Sequence, residues 1–195
     1  MKERSAVVVL AVVSVLIVAA VVVFALVRAQ HPSAQLQNAS IAPTVGTAQI
    51  GGTAPEFSSP GTDGTFDLDK QNRPVLLEVF ATWCPHCQRE TAVLNRLYAA
   101  FKTRVAFIAI PGSTTAMDGA SPESEMDIFA FMQRFSVAYP VAIYDPRQTV
   151  AREYIQGGYP TIAIIGKNKK ILELSSGEAA YETLASELQA AIAAR

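Results

Sequence analysis

Cysteine and histidine are scarce, with two of each in 195 residues. Two cysteines exclude a small secreted scaffold stapled by disulfides. The only histidine outside the Cys84–Cys87 stretch is His31, in a polar segment, so the four ligands of a structural zinc site are not available. Excess positive charge is also lacking. Sixteen Lys+Arg against 17 Asp+Glu leave a net charge of −1, and the run Lys167-Asn168-Lys169-Lys170 reads as a solvated turn, so nucleic acid is not an expected partner. No internal repeat is visible. Charge is missing from two stretches in particular: Ala6–Val27 has none, with Ser14 its one polar side chain, and residues 29–53 contain no Lys, Arg, Asp or Glu.

The first stretch is 22 residues long. As a helix it spans about 33 Å, enough for a hydrocarbon core of about 30 Å. A cleaved signal has a shorter apolar region, about 7–15 residues, and the only cleavage-like site, Val27-Arg28-Ala29, is interrupted by Arg28. Residues 1–28 are therefore expected to be an uncleaved transmembrane anchor. Lys2 and Arg4 precede the span and only Arg28 closely follows it, which favours an inside amino terminus and an outside remainder. In a bacterium this places a single-pass protein in the cytoplasmic membrane with its domain outside the cytoplasm. Residues 29–53, rich in Ala, Gln, Ser, Thr and Gly, read as a flexible linker with an r.m.s. reach of about 25–30 Å. Residues 54–195 are long enough for one globular domain.

Within that domain, Asp63-Gly64 between short apolar pieces predicts a hairpin. Residues 74–81 form a buried-strand run containing a single acid, Glu78, and Pro85–Phe101 turns to helical spacing, with Val93, Leu94, Leu97, Tyr98 and Phe101 on one face. A second buried strand over Val105–Ile110 completes a βαβ unit and hence a parallel pair. A loop over 111–121 leads to a helix capped by Ser121 and running to about Phe135. A third strand is expected over Tyr139–Tyr144, and Asp145 is expected to cap a short helix ending near Tyr154. Thr161–Ile165 and Ile171–Leu174 follow as antiparallel strands joined by a tight turn. An amphipathic helix over Glu178–Ala194 closes the chain. The class is α/β, a mixed sheet flanked by helices.

Trp83-Cys84-Pro85-His86-Cys87 falls where the first core strand meets its helix. Free amide N–H groups and the positive end of the helix dipole at that point stabilise a thiolate on Cys84. Cys87, one turn later, lies on the same side and can close a disulfide with it. Pro85 suits the first helical position, where a missing N–H has no consequence. His86, if protonated, adds a second positive charge near the Cys84 sulfur and favours the reduced form. No cofactor is needed beyond the Cys84–Cys87 pair itself. The competing chemistry is soft-metal binding by Cys84, His86 and Cys87, which describes a copper carrier or chaperone.

These residues, with Tyr159-Pro160-Thr161 opening a later strand, resemble the thioredoxin superfamily. Ala54-Pro55-Glu56-Phe57, the Asp63-Gly64 hairpin, the added segment near 111–135 and Tyr139-Pro140-Val141 are similar to its TlpA-like, membrane-anchored members. The resemblance implies a thioredoxin-like fold from about Pro55 onward and thiol–disulfide exchange with protein substrates. Apocytochrome c is among the substrates implied, and a membrane thiol protein would be the electron donor or acceptor. It implies that Pro160 is a cis-proline facing the dithiol and that Tyr159, Pro160 and Thr161 meet the substrate with Trp83. It also implies that Glu78 exchanges a proton with Cys87 and that Glu90 lies near the site. Pro85-His86 departs from the TlpA-like pattern toward that of DsbA-type oxidants, which leaves the direction of electron flow open. Peroxidase chemistry is disfavoured, because Ala81 stands three residues before Cys84 where a Thr-x-x-Cys setting needs threonine.

Overall fold

The computed structural model describes residues 45–194, so the expected anchor and most of the linker lie outside the described residues. Among the described residues no helix is long and apolar enough to cross a membrane. The elements in chain order are β1 (Ser58–Gly61), β2 (Gly64–Asp67), β3 (Val75–Phe80), α1 (Pro85–Phe101), β4 (Ala106–Pro111), α2 (Glu125–Phe135), α3 (Thr149–Tyr154), β5 (Thr161–Ile165), β6 (Ile171–Ser176) and α4 (Tyr181–Ala193).

β1 and β2 form the expected hairpin, turned at Gly64 with φ +102°. The main sheet has the order β4-β3-β5-β6, with β3 and β4 parallel and the other pairs antiparallel. Because β3 is central and covered on both faces, all six of its residues are buried. Alternation along it sorts the core. Leu76 and Phe80 join Leu94, Leu97, Phe101, Leu184 and Leu188 beneath α1 and α4, while Val75, Leu77 and Val79 pack with Leu68, Ile108, Ile110 and Tyr154 on the other side. Glu78 shares the parity of Leu76 and Phe80. It therefore points under α1, into a face where water cannot reach it.

Five sequence expectations need correction. Gln148, not Asp145, is the N-cap of α3, although Asp145 accepts the Thr149 N–H at 3.0 Å. Residues 45–53 are not a free end of linker. Their backbone pairs with the domain, through Gly46 N–H to Ile155 O (2.6 Å), Ala48 N–H to Glu153 O (2.9 Å) and Gly51 N–H to Ile171 O (2.7 Å), and Ala48 is buried. α2 starts later than expected. Ser124, not Ser121, caps it, in a reciprocal capping box with Asp127. Tyr139–Tyr144 is not a continuous strand. Only Val141 and Ala142 make bridges, to Ala109 and Gly61, and Pro140 beside them has no N–H to pair. The closing helix begins at Tyr181, leaving Gly177–Ala180 as a turn.

Candidate active site

The site is assembled at the C-terminal end of β3, where the chain leaves the sheet and enters α1. Cys84 is the N-cap of α1 with extended backbone (φ −77°, ψ 118°), and Pro85 occupies the first helical position. No side chain caps this helix, so the N–H groups of His86 and Cys87 are left to face the Cys84 sulfur. Both cysteines are free thiols and both are buried, Cys87 completely. They are sharply unlike. Cys84 is lowered to about 6, chiefly by the hydrogen bond that the Cys87 thiol donates to it and then by the two backbone N–H groups; the His86 charge contributes least. Burial, the bond to Cys84 and the nearby Glu78 carboxylate push Cys87 far up. One sulfur is thus the nucleophile and the other holds its proton.

Carboxyls line the protein side of this pair. Glu78, expected from its place in β3, is buried and raised to about 8 by desolvation and by the Glu90 charge, while Tyr139 donates a hydrogen bond to it at 3.3 Å. Glu90 is also buried, on the face of α1 that meets the core. It is raised to about 7 by desolvation, and it accepts Ala179 N–H at 3.1 Å through Oε2 while its Oε1 has no partner. A third carboxyl, Glu123, was missed, because in sequence it reads as an acid of a helix's first turn. It lies instead before the cap of α2, buried, accepting a hydrogen bond from Thr82, and raised to about 7 by desolvation.

The open side is built by aromatics. Trp83 is partly exposed, packs edge-on against Tyr159 (centroids 5.9 Å apart, 88°) and donates from Nε1 to Ser113 Oγ at 2.7 Å. The Tyr159 hydroxyl donates to Gly112 O, and the Tyr159 carbonyl lies 3.5 Å from Cys84 Sγ. The Tyr159–Pro160 peptide is cis. Cys84, Cys87, Glu78, Glu90, Trp83, Tyr159 and Pro160 therefore converge. Thr161 does not reach the open side. It is buried, donates its hydroxyl to Gly158 O at 2.8 Å and accepts Gln156 N–H at 3.1 Å, which shapes the preceding turn. His86 is exposed, and its Nδ1 lies 2.6 Å from Glu178, a partner that its position in the sequence did not announce. Among the described residues, no group of three or more His, Cys, Asp or Glu side chains could hold a metal ion.

A dithiol with one ionised and one protonated sulfur, set at a helix N-terminus, is arranged for thiol–disulfide exchange. Known proteins agree. Residues 50–174 match the AhpC/TSA family. A Bacillus cereus protein named thiol-disulfide oxidoreductase ResA is 31% identical over 144 residues, covering 72% of this chain and 78% of the relative. A ResA of Geobacillus thermodenitrificans is 28% identical over 143 residues, covering 72% and 76%. Among solved structures, a candidate DsbE-type thiol:disulfide interchange protein from Chlorobium tepidum superposes with a TM-score of 0.64 at 27% identity, over 74% of this chain and 99% of that one. The chain belongs to the AhpC/TSA family of thioredoxin-like proteins, among its TlpA-like members, and is a thiol–disulfide oxidoreductase.

Proposed function

We propose that the enzyme works as a reductant of protein disulfides, tethered to the outer side of a bacterial cytoplasmic membrane by residues 1–28. The observation that carries the exchange chemistry is the unlike pair, a lowered Cys84 beside a Cys87 that keeps its proton, and the lowering of Cys84 to about 6, nearer the thioredoxin than the DsbA figure, favours the reducing direction. Oxidants of the DsbA type hold this cysteine near 3.5, whereas thioredoxin, a reductant, holds it near 7. A less stabilised thiolate means a less stabilised reduced form, and therefore a dithiol that gives up electrons more readily. The Cys84 thiolate attacks one sulfur of a substrate disulfide, that S–S bond breaks, and the substrate's second sulfur leaves as a thiolate. Cys87 then passes its proton to Glu78 in the fraction of molecules where that carboxyl is ionised, about a tenth at pH 7 for a group near 8, and the Cys87 thiolate attacks Cys84. The mixed disulfide breaks, the substrate departs as a dithiol, and two electrons have moved to it from the enzyme. The resulting Cys84–Cys87 disulfide needs a membrane thiol protein to reduce it again.

The uninterrupted apolar run Ala6–Val27 supports the tether. The similarity to ResA-named relatives and to a DsbE-type structure supports an extracytoplasmic protein substrate, for which apocytochrome c is the proposed example. Equilibration with glutathione or dithiothreitol buffers tests the direction. A potential near the thioredoxin value of about −270 mV is expected, and one near the DsbA value of about −120 mV would overturn the reductant reading. Fractionation of cells tests the tether: the full chain should pellet with membranes, and recovery in the soluble fraction would refute it.

A further inference from the structure

Three consecutive residues of the β6–α4 turn touch three different parts of the site. Gly177 N–H donates to Pro160 O at 2.8 Å, the Glu178 carboxylate faces the first turn of α1, and Ala179 N–H donates to the buried Glu90. Glu178 is the charged member. Its Oε1 lies 2.6 Å from His86 Nδ1 and accepts from Arg89 Nη2 at 2.5 Å, while Arg89 Nε donates to both carboxylate oxygens at 3.1 and 3.2 Å. One carboxylate thus engages both His86, in the first turn of α1 beside Cys84, and Arg89, at the start of its second turn, and Arg89 Nη2 also lies 2.9 Å from His86 Nδ1. We infer that Glu178 is a positioning residue that sets the redox poise of the dithiol, by turning His86 and Arg89 toward itself and offsetting their charge at Cys84.

The surrounding charges are consistent with this role. His86 lowers Cys84 least of the groups that act on it, although it stands between the two cysteines in sequence. Arg89 is raised first by Glu178 and only last by the Cys84 thiolate. Glu178 itself is held down at about 2 by Arg89 and His86, so it stays ionised throughout the working range. The remaining titratable groups facing this turn, Glu90 and Glu78, lie on the buried side and are raised, so they supply little opposing charge there. Without the Glu178 carboxylate, Arg89, and His86 when it carries a proton, act on Cys84 unopposed. The thiolate and the reduced form gain stability, and the disulfide becomes the stronger oxidant.

The inference rests on dithiol exchange but not on the absolute potential, because the test reads a difference between variants. In the full chain, Glu178→Gln is expected to raise the equilibrium constant for oxidation of dithiothreitol by about three- to tenfold, an upward shift of about 15–30 mV. The Cys84 thiolate titration should move to lower pH in parallel. Glu178→Asp should restore part of the original value, and in a His86→Ala/Arg89→Gln background Glu178→Gln should have less than half its effect. An unchanged or lowered potential in Glu178→Gln would overturn the assignment, as would a full shift persisting without His86 and Arg89. A Glu178→Gln protein that no longer forms any mixed disulfide would instead place Glu178 in holding the fold of the site, and would equally overturn it.

Discussion

Replacing Glu78 by glutamine should stabilise the protein at neutral pH while slowing its chemistry. In the folded protein Glu78 ionises near 8, raised first by burial, against an ordinary 4.5. Between those values the unfolded chain releases the proton and the folded chain keeps it, so folding stability is fully present below 4.5 and declines as pH rises toward 8. Each unit corresponds to about 1.4 kcal/mol, so the 2.5 units from 4.5 to 7 amount to about 3 kcal/mol. Glutamine removes the ionisation and leaves an oxygen where Tyr139 donates. Glu90 and Glu123 are raised in the same direction, to about 7, and remain in both proteins, so their own contributions largely cancel in the difference, which reads Glu78 together with its charge coupling to Glu90. Urea denaturation of the reduced proteins should show the advantage of Glu78→Gln growing from under about 1 kcal/mol at pH 5 to about 3 kcal/mol at pH 7. The rate at which Cys87 resolves a mixed disulfide should fall at the same time. Parallel stability profiles over pH 5–8 would refute the placement of Glu78 as a buried proton-holding acid.

Two further perturbations test the open side and the chemistry. Cys87→Ser keeps a hydrogen-bond donor beside Cys84 but removes the resolving sulfur, so partner proteins should accumulate as adducts that dithiothreitol releases, seen on non-reducing gels; their absence with Cys84 intact would contradict the exchange mechanism. Gly112→Ala would set a Cβ 2.6 Å from Val79 Cγ1 and 3.0 Å from Tyr159 Cε1, so it should destabilise the fold by about 1–3 kcal/mol in urea and lower the disulfide-reductase rate by displacing Tyr159, whereas a neutral effect on both would refute that packing.

The parts of the site that follow from chain-local rules were legible in the sequence. Cys84 and Pro85 mark a helix start, Asp63-Gly64 marks a hairpin, and Glu78 stands out as an acid inside an apolar run. What sequence could not supply depends on distant partners. Glu90 and Glu123 look like ordinary helical acids until Ala179 and Thr82 are brought to them by the fold. Glu178 lies 92 residues from the histidine it engages. Residues 45–53 dock through backbone hydrogen bonds, which impose no apolar period for the eye to find. Thr161 belongs to the motif that carries the family resemblance, yet its hydroxyl satisfies the turn behind it. In each of these cases tertiary contact decides the environment of a side chain whose local pattern is neutral.

The most direct measurement is the pH profile of Cys84 alkylation by iodoacetamide in the reduced protein, followed by mass spectrometry to assign the modified sulfur. The site described here predicts a midpoint near 6 for Cys84, with Cys87 unmodified throughout the same range. A midpoint near the free-thiol value of about 8.5, or equal modification of the two cysteines, would contradict it.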